Sequence, residues 1–339
     1  MTAAADATAA ARGPARPPRA GAVRATASSL RAMALVDEIR DGAAWVAAQA
    51  SAVVVERDAV AAYAAALPAP GELPGIDPDA HLLDGPAELR AAFFLTLDAI
   101  NFGSGWFPTI RKRDGRSGYF TVALGLRDRF RAHGPWRAAE LRTLRAAELA
   151  ATLGQDPGHE LMALFARSLN DLGAHVEDDH GGRFLGPVEA AGGSAVALVE
   201  LLAAWDCFAD RSPYAGREIP LFKRAQVAAS DLAFAGVAAF PDLARLTLFA
   251  DNLIPHVLRL DGILRFDPAL VARIEAGGLI AHDSPEEVEM RAGAIHVAEL
   301  IAAARPDLTA RDVDQLLWTR GGGAAYKAVP RPRARSTAY

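Results

Sequence analysis

Apolar side chains recur every three or four positions along most of this chain, which is the spacing of a helix with one buried face. LRAMALVDEIRDGAAWVAAQA (30–50) and ERDAVAAYAAAL (56–67) follow it, and a Pro/Gly-rich connector, PAPGELPGIDPD (68–79), separates them from PAELRAAFFLTLDAI (86–100). Residues 117–130, 138–153, 159–176 and 194–205 continue the pattern with short connections. Only the stretch around 107–121, with Asp114-Gly115 at its centre, breaks it, and there a hairpin or small sheet is expected. No fixed period repeats, so a solenoid is excluded. The pattern predicts a mainly α-helical single domain over 29–339.

One apolar run contains two misplaced residues. LTLFADNLIPHVLRLDG (246–262) reads as a buried helix, yet Asp251 sits within it. At 100° per residue that carboxylate falls within about 60° of Leu248, Ile254 and Leu258. An unpaired buried carboxylate costs several kcal/mol or changes its protonation to avoid that cost. Pro255 follows by one turn and should kink the helix at Asp251.

Composition narrows the class. The chain has 339 residues, of which 51% are hydrophobic, ample for a sizeable core. A net charge of −5 argues against coating a nucleic acid. Cys207, the one cysteine, allows neither an internal disulfide nor a thiolate cluster and suits a reducing cytoplasm. No apolar run is long enough to span a membrane. Residues 1–28, rich in Ala, Arg and Pro, are expected to form a disordered leader.

Other candidate sites have ordinary readings. His175, Glu177, Asp178, Asp179 and His180 match no metal-ligand spacing and are explained by a helix end entering Gly-Gly, so no metal is assigned. In DSPEEVEMR (283–291), Ser284 reads as an N-cap with Glu287 its capping-box partner, and Glu287 pairs with Arg291 four residues on. Glu289 is the acid there without a structural task. REIPLFKRAQ begins a helix near Leu221 on which Lys223 and Asp231 lie about 12 Å apart, so that one extended ligand could touch both. Asn101, Phe102, Trp106, Phe107 and Tyr119, gathered around glycines, could sandwich a planar base or simply pack the core.

In order, LDAINF, SGY, GGRFL, GREIPLFKRAQ, LTLFAD with a proline four residues on, EVEMR, and a terminal Arg-x-Arg ending in Tyr resemble the queuosine salvage protein family over nearly the whole chain after the leader. The resemblance implies a helical fold likened to DNA glycosylases and a cofactor-free N-glycosidase that releases queuine from queuosine 5′-phosphate. It places the catalytic aspartate on Asp251 and the essential lysine on Lys223. The implied partner is a small nucleotide, with no nucleic acid or membrane. Asp231, Phe249, Asn101, Phe102, Tyr119, Asn252, Arg333 and Arg335 are the expected substrate-binding residues. At Asn252, Leu253 and His256 the chain departs from the aromatic residue, arginine and glutamine of better-known members, which puts a sugar or phosphate contact in question. A helix-hairpin-helix nucleic-acid glycosylase and a non-catalytic nucleoside-binding protein are the alternatives. By the same resemblance, Arg333, Arg335 and Tyr339 are expected to fold back with the C-terminal tail rather than fray.

Overall fold

The computed structural model describes residues 27–70 and 75–339. The leader therefore lies outside them, apart from Ala27 and Ser28, which begin the first helix. That helix, α1 (Ala27–Gln49), runs into strand β1 (Val53–Val55) and is followed by α2 (Arg57–Ala66) and α3 (Ala87–Ala99). α4 (Gly118–His133), α5 (Ala138–Leu141), α6 (Ala146–Leu153), α7 (Glu160–His180), α8 (Leu185–Ala190) and α9 (Ala195–Ala203) follow. A hairpin of β2 (Arg211–Tyr214) and β3 (Arg217–Pro220) leads into α10 (Lys223–Phe234). Beyond it come α11 (Leu253–Leu260), β4 (Leu264–Phe266), α12 (Pro268–Glu275), α13 (Pro285–Ala304), α14 (Ala310–Gly321) and α15 (Ala324–Lys327).

The protein is thus mainly α, as the apolar periodicity predicts. α13 is its central helix, packed against α1, α2, α11 and α14 and against β1 and β2. Its N-cap is Ser284, whose hydroxyl accepts from Glu287 N–H at 3.3 Å, but Glu287 returns the bond to Asp283 N–H at 2.9 Å rather than to the cap residue. Glu289, far from idle, accepts the N–H groups of Ser51, Ala52 and Val53 at 3.1, 2.7 and 2.9 Å and the Tyr214 hydroxyl at 2.9 Å. It ties the end of α1 to the two small sheets.

Both sheets are two-stranded and antiparallel. β1 pairs with β4, Val53 opposite Phe266, and β2 with β3, Tyr214 opposite Arg217. The β2–β3 turn places Ala215 and Gly216 at φ 46° and 80°, the left-handed pair that a two-residue hairpin turn requires. The hairpin expected near 107–121 does not form. Asp114 and Gly115 do turn, at φ 51° and 69°, but the Ser117 hydroxyl accepts from Phe120 N–H and starts α4 where a returning strand would lie.

The C-terminal tail crosses this body. Ile280 N–H donates to the Arg333 carbonyl at 2.8 Å, Ile280 and Ala334 form a parallel bridge, and Gly103 N–H donates to the Tyr339 carbonyl at 3.3 Å. Ala338 and Tyr339 are buried. Gly105 is required beneath the tail, because a Cβ there would stand 2.5 Å from the Ala334 carbonyl oxygen. Among the described residues, no helix is long and apolar enough to cross a membrane.

Candidate active site

Residues 246–252 are not helical, so the kinked helix expected over 246–262 is corrected to a shorter one beginning at Leu253. The reason lies in side chains arriving from three other helices. Gln226 of α10 accepts from Thr247 N–H at 2.9 Å, Asp314 of α14 accepts from Phe249 N–H at 3.0 Å, and Arg291 of α13 donates to the Ala250 carbonyl at 2.9 Å. These bonds satisfy the buried backbone in an extended form and remove the advantage of a helical ladder. Leu246, Leu248 and Ala250 remain in the core.

Asp251 stands where this extended segment meets α11. Its Oδ1 accepts the N–H groups of Leu253 and Ile254 at 2.8 and 3.0 Å, in the manner of a helix cap. Among the described residues Oδ2 accepts no hydrogen bond, and the side chain is partly open to solvent. Pro255 falls within the first turn, where proline is tolerated, so it introduces no kink.

Lys223, the first residue of α10, is buried, and its ammonium donates to the Asn101 carbonyl at 3.0 Å. Burial lowers its pKa, while the charges of Asp251, Asp98 and Asp314 pull it upward. The preceding residue, Phe222, lies in the left-handed region at φ 46°, ψ 46°. Such a conformation costs a non-glycine residue about 1–2 kcal/mol. Asp210 sustains it, since its carbonyl accepts from Leu221 and Phe222 N–H at 3.0 and 3.3 Å and its carboxylate from Lys223 N–H at 2.9 Å.

Carboxyl groups surround the lysine. Asp98 on α3 is fully buried; Asn101 donates to its Oδ1 at 3.3 Å, and among the described residues its Oδ2 has no hydrogen-bond partner. Burial, then the charge of Asp231, hold its pKa well above the carboxylate range. Asp231, eight residues beyond Lys223 on α10, is pushed up to about 7 by burial against the opposing pull of Lys223. Burial and then the Asp251 charge also raise Asp314.

Cations approach from the tail. Asn252 donates to the Pro332 carbonyl at 2.6 Å and to Ser104 Oγ at 3.1 Å, which fixes the residue between Arg331 and Arg333 beside Asp251. Burial lowers the pKa of Arg331, the Asp251 charge opposes that shift, and Arg333 reinforces it. Lys112 is pushed down to about 8 by burial and by Arg331 and Arg333. Among the described residues, the buried Nε of Arg333 has no hydrogen-bond partner.

The structure therefore gathers Asp251, Lys223, Asp231 and Asn101 in one region, with Phe249 mostly buried beside Asp251. Tyr119 joins it through the charges of Asp231 and Asp98, its hydroxyl 2.8 Å from His81 Nε2. Phe102 does not line it: the ring is buried against Phe165, at 4.9 Å between centroids, and under the Arg224 guanidinium. Arg335 also points elsewhere, toward Glu160 at 3.5 Å over the Trp106 ring. Asn252 holds the tail. Asp98, Asp314, Arg331 and Lys112 were not marked by the sequence pattern, since Asp98 ends an apolar helix and Arg331 stands among prolines.

Neither histidine cluster adds to this site. His175 bonds Asp179 at 2.9 Å and stacks on Trp205, at 4.7 Å between centroids. His282, Asp283 and Glu287 bring ligand-type atoms within 4.8 Å of one another, but Glu287 is already engaged by Asp283 N–H.

The family described as queuosine salvage protein matches residues 81–339. A queuosine 5′-phosphate N-glycosylase/hydrolase of Sphaerobacter thermophilus is 36% identical over 308 residues, covering 87% of this chain and 95% of that protein. The protein of that name from Dictyostelium discoideum is 27% identical over 263 residues, 74% of this chain and 79% of its own length. That of Schizosaccharomyces pombe is 33% identical over 159 residues, 45% of this chain and 46% of its own.

Proposed function

The chain belongs to the queuosine salvage protein family, and from that premise we propose that it hydrolyses the N-glycosidic bond of queuosine 5′-phosphate, releasing queuine, with Asp251 as its catalytic carboxylate. The observation that carries the residue assignment is the division of labour within one carboxylate. Oδ1 is fixed by two N–H groups of α11, and among the described residues Oδ2 accepts no hydrogen bond. Glycosidic cleavage passes through an oxocarbenium-like sugar, and an oriented carboxylate near the anomeric carbon stabilises that charge or captures it covalently. A partly dry site strengthens the interaction.

Queuine is a 7-deazaguanine, so the ring nitrogen commonly protonated in purine nucleosides is a carbon, and acid catalysis at that position is closed. The reaction must lean on charge stabilisation at the sugar and on groups that receive the departing base. Asp231, with Asn101 and Tyr119 near it, accepts the guanine-face N–H groups in this reading, and Phe249 supports the wall beside Asp251. Lys223, tethered to Asn101, compensates the carboxylates around it. Lys112, Arg331 and Arg333 form the 5′-phosphate subsite in this reading: among the described residues none of the three is in an ion pair with a carboxylate, and the Asp251 charge acts on Arg331. Residues 29–339 act as one catalytic unit, and a cytoplasmic setting suits a chain whose one cysteine is unpaired and buried.

The test is liquid chromatography of the purified protein incubated with queuosine 5′-phosphate, queuosine and GMP. Queuine release from the nucleotide is expected, with slower release from the nucleoside and none from GMP. No base release from any of the three would end the reading.

A further inference from the structure

Resting on the N-glycosidase reading, we propose that Arg291 is a positioning residue whose guanidinium fork holds Asp251 and Lys223 in register. The two residues lie on separate segments, 28 positions apart, and nothing in the local sequence couples them. Arg291 couples them through the backbone. Its Nε donates at 2.9 Å to the carbonyl of Ala250, the residue immediately before Asp251. Nη1 and Nη2 donate to Asp210 Oδ1 and Oδ2 at 2.9 and 2.7 Å, and Asp210 Oδ2 also accepts the Lys223 N–H at 2.9 Å.

This path runs from one functional residue to the other through one planar cation and one carboxylate. Each link is buried: Arg291 is 1% and Asp210 3% exposed. Tyr339, at the chain's end, covers the guanidinium with its ring, 4.2 Å from the centroid. The fork also backs the strained turn at Phe222, because Asp210 grips three successive N–H groups there and is itself gripped by Arg291. A lysine in place of Arg291 would keep the charge but could not serve the Ala250 carbonyl and both Asp210 oxygens from one plane. Misplacing a reacting group by about 1 Å can cost on the order of a hundredfold in rate.

The experiment compares Arg291→Lys and Asp210→Asn with Leu141→Ala, a core variant of α5 chosen to lower Tm without touching the fork. Steady-state rates are measured on queuosine 5′-phosphate and queuosine, and amide exchange of the ligand-free protein is followed at Lys223, Leu253 and Ile254. The expected result is a kcat at least tenfold below that of Leu141→Ala in both fork variants, KM within about twofold, and equal proportional loss on the two substrates. Faster exchange at the three amides should appear in Arg291→Lys and be absent from Leu141→Ala. Rates and exchange that follow the Leu141→Ala control, or a loss confined to KM, would overturn the assignment and leave Arg291 a core ion pair. Should Arg291→Lys fail to fold, Asp210→Asn decides by the same criteria. Absence of base release from the wild-type protein would instead defeat the functional reading, and the exchange measurement, which needs no substrate, would still judge the fork.

Discussion

Asn252 donates to the carbonyl of Pro332 at 2.6 Å, so the residue following Asp251 anchors the C-terminal tail. Removing residues 331–339 should lower Tm and reduce base release from the nucleotide by at least about tenfold, because it removes both a docked segment and the cations it carries. Asn252→Ala should show a smaller loss, about 1–3 kcal/mol of stability for groups left unpaired. Thermal melts and turnover of both proteins check this, and a truncated chain that behaves as wild type would make the tail idle.

Arg331→Gln and Lys112→Gln should raise KM for queuosine 5′-phosphate and narrow its advantage over queuosine, since the nucleoside lacks the group these cations contact. Lys223→Ala should behave differently, lowering kcat on both substrates, because its ammonium is bound to the Asn101 carbonyl and offsets the charges of Asp251, Asp98 and Asp314. Parallel kinetics on the two substrates separate the roles. An unchanged nucleotide-to-nucleoside ratio in Arg331→Gln would remove that residue from the phosphate subsite.

Asp231 supplies a pH signature. Its folded pKa, about 7, exceeds the unfolded value near 3.9, so between these limits the folded state holds the extra proton and stability falls as pH rises. The limiting slope is about 1.4 kcal/mol per pH unit. Asp231→Asn should therefore raise Tm more at pH 8 than at pH 5, and melts across that range would show it. An equal shift at both values would exclude a raised Asp231.

Apolar periodicity gives most helices correctly, and Asp251 and Lys223, the aspartate and lysine that the resemblance implies, come together with Asp231 and Asn101. It fails at 246–252 because a hydrophobic run looks the same whether its backbone bonds are helical or taken by Gln226, Asp314 and Arg291 from distant helices. Glu289 has no task visible in the sequence for a similar reason: its backbone partners, Ser51 to Val53, lie more than 230 positions away and its hydroxyl partner, Tyr214, 75 positions away. The aromatics of INFGSGWF suggest a base sandwich or core packing, whereas the glycines between them admit the C-terminal segment, at Ala334 and Tyr339. Asp98 was hidden by its apolar neighbours. Arg331 was hidden by a tail whose composition signals disorder.

In the proposed reaction Asp251 does chemistry besides capping α11, and Asp251→Asn separates the two. Asparagine retains the oxygen that accepts from Leu253 and Ile254 N–H and caps about as well as aspartate, but it carries no charge to offer the sugar. The decisive measurement is single-turnover release of queuine from queuosine 5′-phosphate by this variant, with Tm recorded on the same sample. The expected result is a Tm at or above that of the wild type and a rate at least about a hundredfold lower. A folded Asp251→Asn protein that releases queuine at a near-normal rate would contradict it and reduce Asp251 to a helix cap.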